Sequence, residues 1–314
     1  MNAAKIVVLA LQPAVVVVSA PLMTGVVRKV QARLEGRVGA PVVQPWRDLR
    51  KLWRKERIAP EHSSWLFAVT PLVLVASCIV IAIIAPVLTL AGPMSRAGDL
   101  FTVVSLFLVA TVFLALAGLD PGTAFGGMGS SREMTIAALA EPTLLVAIFA
   151  LSSRVASTNL SEIVHATLDQ PRTVLSVQSV FALVALAIAT IAECARLPVD
   201  NPRTHLELTM VHEAMVLEYA GPDLALIELA ASLRLALFGV LLANLFVPWG
   251  IARGVAVGAV AVALVALLLK LAVLAVALGV FETFTPKVRL FRVPELLALS
   301  FVVAFLAVIA AVFL

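Results

Sequence analysis

Cysteine is nearly absent from this sequence, which has only Cys78 and Cys194. Neither belongs to a Cys-x-x-Cys pair, which excludes an iron–sulfur cluster or structural zinc held by this chain alone. Cys78 lies inside an apolar run and Cys194 beside Glu193, so no disulfide is expected. The zinc-protease pattern is missing too: His212-Glu213 would need a second His at 216, where Val216 stands. His205, Glu207 and His212 lack the usual close ligand spacing, so no metal site is expected. The glycine-rich segment 120–133, DPGTAFGGMGSSRE, has no Gly-Lys-Ser/Thr ending and is not a phosphate loop. An internal repeat of the transporter kind is not evident.

What is abundant is apolar. Of 314 residues 62% are hydrophobic, and the mean hydropathy is +1.08. Those values lie far outside the soluble globular range. They predict an all-α integral membrane protein, a single polytopic domain over residues 1–314. Eight runs are long enough to cross a hydrocarbon core of about 30 Å. They are Ile6–Val27, Trp65–Leu90, Leu100–Leu119, Met134–Leu151, Thr173–Ala192, Leu224–Val247, Gly254–Phe281 and Leu296–Leu314. The first carries Pro13 and Pro21 and competes with a signal-peptide reading. Its length and the basic segment after it favour retention as a span.

The net charge of +4 is read through topology rather than nucleic-acid binding. Segment 28–64 alone holds ten Lys and Arg, and an eight-span model puts sixteen on its side against five opposite. The positive-inside rule then places both termini outside the cytoplasm and segments 28–64 and 193–223 within it. After Pro45, the residues Trp46, Leu49, Leu52 and Trp53 recur at helical steps with basic residues between them. This predicts an amphipathic interfacial helix, a lipid anchor or a docking platform.

The most polar stretch is Ala192–Tyr219, AECARLPVDNPRTHLELTMVHEAMVLEY. Pro202, Thr204 and Glu207 fit a capping box, predicting a helix that Gly221-Pro222 would stop. Ser130 and Glu133 fit a second capping box, opening the fourth span. Glu193 and Arg196 are close enough in sequence to pair across a turn. Glu141, Glu228, Arg234 and Lys270 lie inside spans, where each costs about 2.5–3.5 kcal/mol if it faces lipid. Glu228 and Arg234 are six residues apart and point about 120° apart, so their partners must come from other helices. Buried carboxylates of this kind can exchange protons near neutral pH. Glu141, Glu193 and Glu228, followed by Lys270, read as steps of a proton path, with Glu207, Glu213, Glu218 and Arg234 beside them.

Ala192-Glu193, Arg196-Leu197-Pro198-Val199-Asp200 and Glu218-Tyr219 resemble the quinone-adjacent H subunit of respiratory complex I, with Val199 where Phe is usual. Asp200-Asn201-Pro202, Thr204 to Met210 and His212-Glu213-Ala214-Met215 more closely resemble the homologous anchor subunit of group 4 membrane-bound nickel–iron hydrogenases, of the formate hydrogenlyase and hydrogenase-4 type. Gln44-Pro45 with Asp48-Leu49, Gly129 to Glu133 and Leu290 to Glu295 extend the resemblance over nearly the whole chain.

The resemblance implies a non-catalytic membrane subunit in a bacterial or archaeal cell membrane, without a redox centre of its own. The nickel–iron centre and iron–sulfur clusters would belong to large and small hydrogenase subunits docked on the cytoplasmic face. An antiporter-like membrane subunit would lie alongside. It also implies interface roles for Arg37, Gln44, Pro45, Asp48, Arg196, Asp200, His205 and His212. The Thr-His-Leu-Glu version replaces the acidic complex I pattern, a departure that counts against quinone binding and leaves a quinone-like cavity an open question. Alternatives are a quinone-site subunit of a complex I-type NADH dehydrogenase and a stand-alone secondary transporter.

Overall fold

A computed structural model describes residues 3–200 and 210–313, with side chains from Lys5 onward. The residues 201–209, which include His205, Glu207 and the Pro202–Thr204 cap, lie outside the described residues.

Long helices dominate, as apolar runs in lipid require: every backbone N–H and C=O must be satisfied within the segment. They are α1 (Ala3–Leu34), α3 (Trp65–Ile84), α4 (Leu100–Leu119), α5 (Ala124–Ser152), α9 (Gly221–Phe246), α10 (Val257–Phe284) and α11 (Val293–Phe313). All seven are long and apolar enough to cross a membrane. An eighth, α7 (Val177–Glu193), is apolar but has 17 residues, about 25 Å of helix. It packs between the long helices, against α5 and α11. Shorter elements are α2 (Gln44–Trp53), α6 (Leu160–Asp169) and α8 (His212–Val216).

Contacts between connections define the two ends. At the basic end, Arg57 pairs with Asp223 at 2.6 Å and the Val288 N–H donates to the Pro198 carbonyl at 2.9 Å. At the other end, the Leu90 N–H donates to Ala252 O and the Leu100 N–H to Thr158 O, both at 2.9 Å.

Several boundaries differ from the sequence reading, each for a local reason. The second run ends at Ile84, because Pro86 holds Ala85 in an extended conformation (φ −72°, ψ 152°). Residues 85–90 are buried nonetheless, and several of their backbone groups are met by side chains. Gln12 accepts from the Leu88 N–H at 3.1 Å, and Asn244 donates to the Pro86 and Val87 carbonyls at 2.7 and 3.1 Å. The fourth span begins ten residues early: Thr123 is the N-cap of α5, accepting from the Gly126 N–H. Ser130 therefore does not cap a helix; its hydroxyl donates to Ala115 O on α4 at 2.8 Å. Gly221-Pro222 do not stop a helix either. They open α9, Pro222 at a first-turn position where its missing N–H is harmless. Among residues 210–220 only the five of α8 are helical.

The expected amphipathic helix is α2. Trp46, Leu49 and Leu52 are half-buried against α1 and α9, while Arg47, Arg50 and Lys51 are exposed. The Trp46 indole donates to Val18 O on α1 at 3.3 Å. Trp53 departs from that stripe and is exposed. Gly25 on α1 allows the close approach of this segment, because a Cβ there would lie 2.0 Å from the Val42 carbonyl oxygen.

Candidate functional site: an acidic cavity at the basic end

At the basic end a cavity of about 490 Å³ opens between α1, α5, α8, α9, α10 and the residues that follow α7. A water needs roughly 10–15 Å³ of such space, so the cavity can hold a cluster of them. Its walls are acidic. Glu35 comes from the end of α1, Glu133 from α5, Glu193 from α7 and Asp200 from the turn beyond it; Glu213, Glu228 and Glu282 come from α8, α9 and α10. The cations on the wall are Arg28, Arg196 and Arg234, with His212 as a further titratable group.

The fold pairs these groups between helices. Arg234, expected to find its partner on another span, forms a buried ion pair with Glu193. Its guanidinium also donates to Thr111 at 2.8 Å and lies 5.6 Å from the Phe107 ring centroid. That ring stacks in turn on Phe238. Glu193 therefore does not pair with Arg196, because the chain turns sharply after α7 through Ala195 at φ 47°. Arg196 points instead to Glu282 of α10 at 3.5 Å, and Gln31 of α1 donates to the same carboxylate.

Asp200, 2% exposed, closes the next layer. One oxygen accepts from the Val211 and His212 N–H groups at 3.3 and 3.2 Å; the other meets Lys287 at 3.1 Å. Arg132 donates to Met210 O at 3.0 Å. Tyr219 stacks on Phe67, ring centroids 3.8 Å apart, and its hydroxyl donates to Phe67 O at 3.0 Å. Burial pushes the Tyr219 phenol up, so it remains a neutral donor.

Of the groups read as a proton path, the cavity unites Glu193, Glu213, Glu228 and Arg234. Glu141 lies deeper in α5, buried, within electrostatic range of Glu193 and Arg234. Neither of its oxygens has a hydrogen-bond partner among the described residues. Glu218 stands apart, exposed beyond α8, and Lys270 sits with Asn244 well away from the cavity. Of the interface residues, Arg196, Asp200 and His212 line the cavity. Gln44 donates to Asp48 at 2.8 Å along α2, where Pro45 takes a first-turn position, and Arg37 pairs with Glu35 on the surface. Sequence reasoning missed Gln31 and Glu282, and read Glu133 as a cap. Periodicity held the signal for Glu282: it continues the buried stripe of Ala263, Leu267, Leu271, Ala275 and Gly279 on α10.

No group of three or more His, Cys, Asp or Glu among the described residues is arranged to hold a metal ion. The wall chemistry fits protons and water.

Comparison with known proteins agrees with this architecture. A family model described as NADH dehydrogenase matches residues 5–313. Formate hydrogenlyase subunit 4 of Escherichia coli (strain K12) is 34% identical over 300 residues, covering 96% of both chains. Hydrogenase-4 component C of the same organism is 32% identical, over 96% of this chain and 95% of that one. A chain of the membrane-bound sulfane sulfur reductase, an archaeal respiratory membrane complex, shares the fold. Its TM-score is 0.77 at 20% identity, over 96% of this chain and 99% of that one. This multi-pass membrane protein belongs to the NADH dehydrogenase family, with formate hydrogenlyase subunit 4 and hydrogenase-4 component C among its relatives.

Proposed function

We propose that this chain is the membrane anchor and proton-coupling subunit of a hydrogen-evolving, formate hydrogenlyase-like nickel–iron hydrogenase complex. The full-length similarity to two hydrogenase membrane subunits supports that class. Metal centres would reside in large and small hydrogenase subunits docked on the basic end, which the positive-inside rule makes cytoplasmic. An antiporter-like subunit would adjoin it in the cell membrane. The observation that carries the coupling role is the acidic cavity ending at the Glu193–Arg234 pair, with Glu141 buried just beyond. Carboxylates this dense suit water and protons better than an apolar quinone ring.

Glu141 provides the cleanest test, because among the described residues it accepts no hydrogen bond that Gln would lose. Glu141→Gln is expected to leave an assembled complex with normal electron transfer to an artificial acceptor. Proton movement in sealed vesicles should fall at least tenfold. Parental proton movement by the assembled variant removes Glu141 from the path. A purified complex without nickel and iron overturns the hydrogenase assignment.

A further inference from the structure

The middle of α10 carries a cation that forms no ion pair among the described residues. Lys270 lies 13 residues from Val257 and 14 from Phe284, about 20 Å of helix from either end. Exposed apolar residues bracket it on both sides: Val262 and Leu269 toward one end, Val273 and Val280 toward the other. Its Cα therefore lies in the middle of the helix, and its side chain reaches toward Asn244, two residues before the end of α9.

Its hydrogen-bond partner among the described residues is polar but neutral. The ammonium donates to Asn244 Oδ1 at 3.3 Å. The Asn244 amide nitrogen is committed to the Pro86 and Val87 carbonyls. Among the described residues Lys270 takes part in no ion pair, while Glu193, Asp200 and Glu282 each meet a cation of this chain.

Lys270 also sits at the edge of the helix's packed face. The buried stripe Ala263–Leu267–Leu271–Ala275 meets α1 and α9, and Lys270 projects about 60° to one side of Leu267. There it borders the exposed face of Val262, Leu269 and Val273. A lysine borne in the middle of a span pairs with an acid, a carbonyl cluster or water rather than facing lipid. A helix packed on the adjacent apolar face would bring a side chain within its reach.

We infer that the α10 face beside Lys270 is an interface within the membrane, covered by a transmembrane helix of another subunit that presents an Asp or Glu to the ammonium. The inference rests on the reading of this chain as one subunit of a membrane complex. It adds where a membrane neighbour sits and which chemistry holds it.

The test uses the detergent-purified complex with a photo-crosslinking residue in place of Val273. The expected adduct joins this chain to a span of a different subunit that contains an Asp or Glu at matching depth. Lys270→Met should lower its yield at least tenfold, and Lys270→Arg should preserve it. Neutralising the partner acid together with Lys270→Met should restore the subunit's retention toward the parental level. Adducts formed only with phospholipid, with a second copy of this chain or with a span lacking an acid overturn the inference and leave the proposed function standing. Purification of this chain without any other membrane subunit overturns both.

Discussion

Glu193 at the end of α7 and Arg234 in the middle of α9, 41 positions apart in the sequence, form a buried ion pair that joins the two helices. A pair of this kind need not stabilise relative to apolar groups, but breaking one side leaves a buried charge uncompensated. That costs about 3–5 kcal/mol. Arg234→Met should therefore lower the thermal stability of the purified chain or complex strongly. The double variant Glu193→Gln/Arg234→Met should recover a large part of the loss, because no charge is stranded. Equal destabilisation by the single and double variants would show that the pair itself is not what orders this layer.

Asp200 connects three places in the chain: the turn after α7, the start of α8, and Lys287 beyond α10. Asp200→Ala removes the acceptor of two backbone donors, at about 1–3 kcal/mol for the buried donors, and one contact of the Lys287 ammonium. Asp200→Asn keeps an acceptor and loses the charge, so its effect should be smaller. Limited proteolysis between Arg196 and Tyr219 reads this directly, with cleavage fastest in the Ala variant. If Ala and Asn are cut at the parental rate, Asp200 does not hold this end closed.

Gly25 makes a sharper packing prediction because α10 supplies its own control. Gly25→Ala places a methyl against the Val42 carbonyl, where backbone has to shift. Gly258→Ala meets open space at the start of α10 and should be neutral or slightly stabilising, since Ala exceeds Gly in helix propensity by about 1 kcal/mol. Tryptophan fluorescence, through Trp46 and Trp53 of α2, should change in the first variant and not in the second. An unchanged spectrum in both would mean that α2 does not rest on α1 through this contact.

The crossing helices were legible because apolar length is decisive in a bilayer, and α2 because its polar and apolar positions alternate at helical steps. Pairing was not legible. Glu193 and Arg196 look like neighbours in the sequence, yet a left-handed Ala195 turns the chain and sends them to α9 and α10. Arg234 was different: its depth in a span required a partner elsewhere, and that expectation was met. Glu133 was misread for another local reason. Ser130-x-x-Glu133 satisfies a capping pattern, but Thr123 starts the helix earlier and turns both side chains inward. Glu282 escaped notice because a carboxylate at a helix end usually faces water. Its buried position depends on Arg196 and Gln31, which approach only in three dimensions.

The same distinction decides how docking should be tested. Arg196 resembles an interface residue in sequence, but its side chain is directed to Glu282 inside the cavity wall. Arg196→Glu would set two carboxylates against each other and destabilise this chain whether or not a partner docks there. The exchange Arg196→Glu/Glu282→Arg should recover part of that stability, which identifies the effect as internal. Arg37 and Arg50 are different. Among the described residues Arg37 pairs with Glu35 across the surface, and Arg50 projects from the exposed side of α2. Surface pairs contribute about 0–1 kcal/mol, so Arg37→Glu/Arg50→Glu should leave the fold intact. If soluble subunits dock on this basic face, that double variant should release hydrogenase activity from membranes washed in moderate salt. The Arg196/Glu282 exchange should retain it. Activity that stays membrane-bound in Arg37→Glu/Arg50→Glu would place the docking surface elsewhere on the basic end.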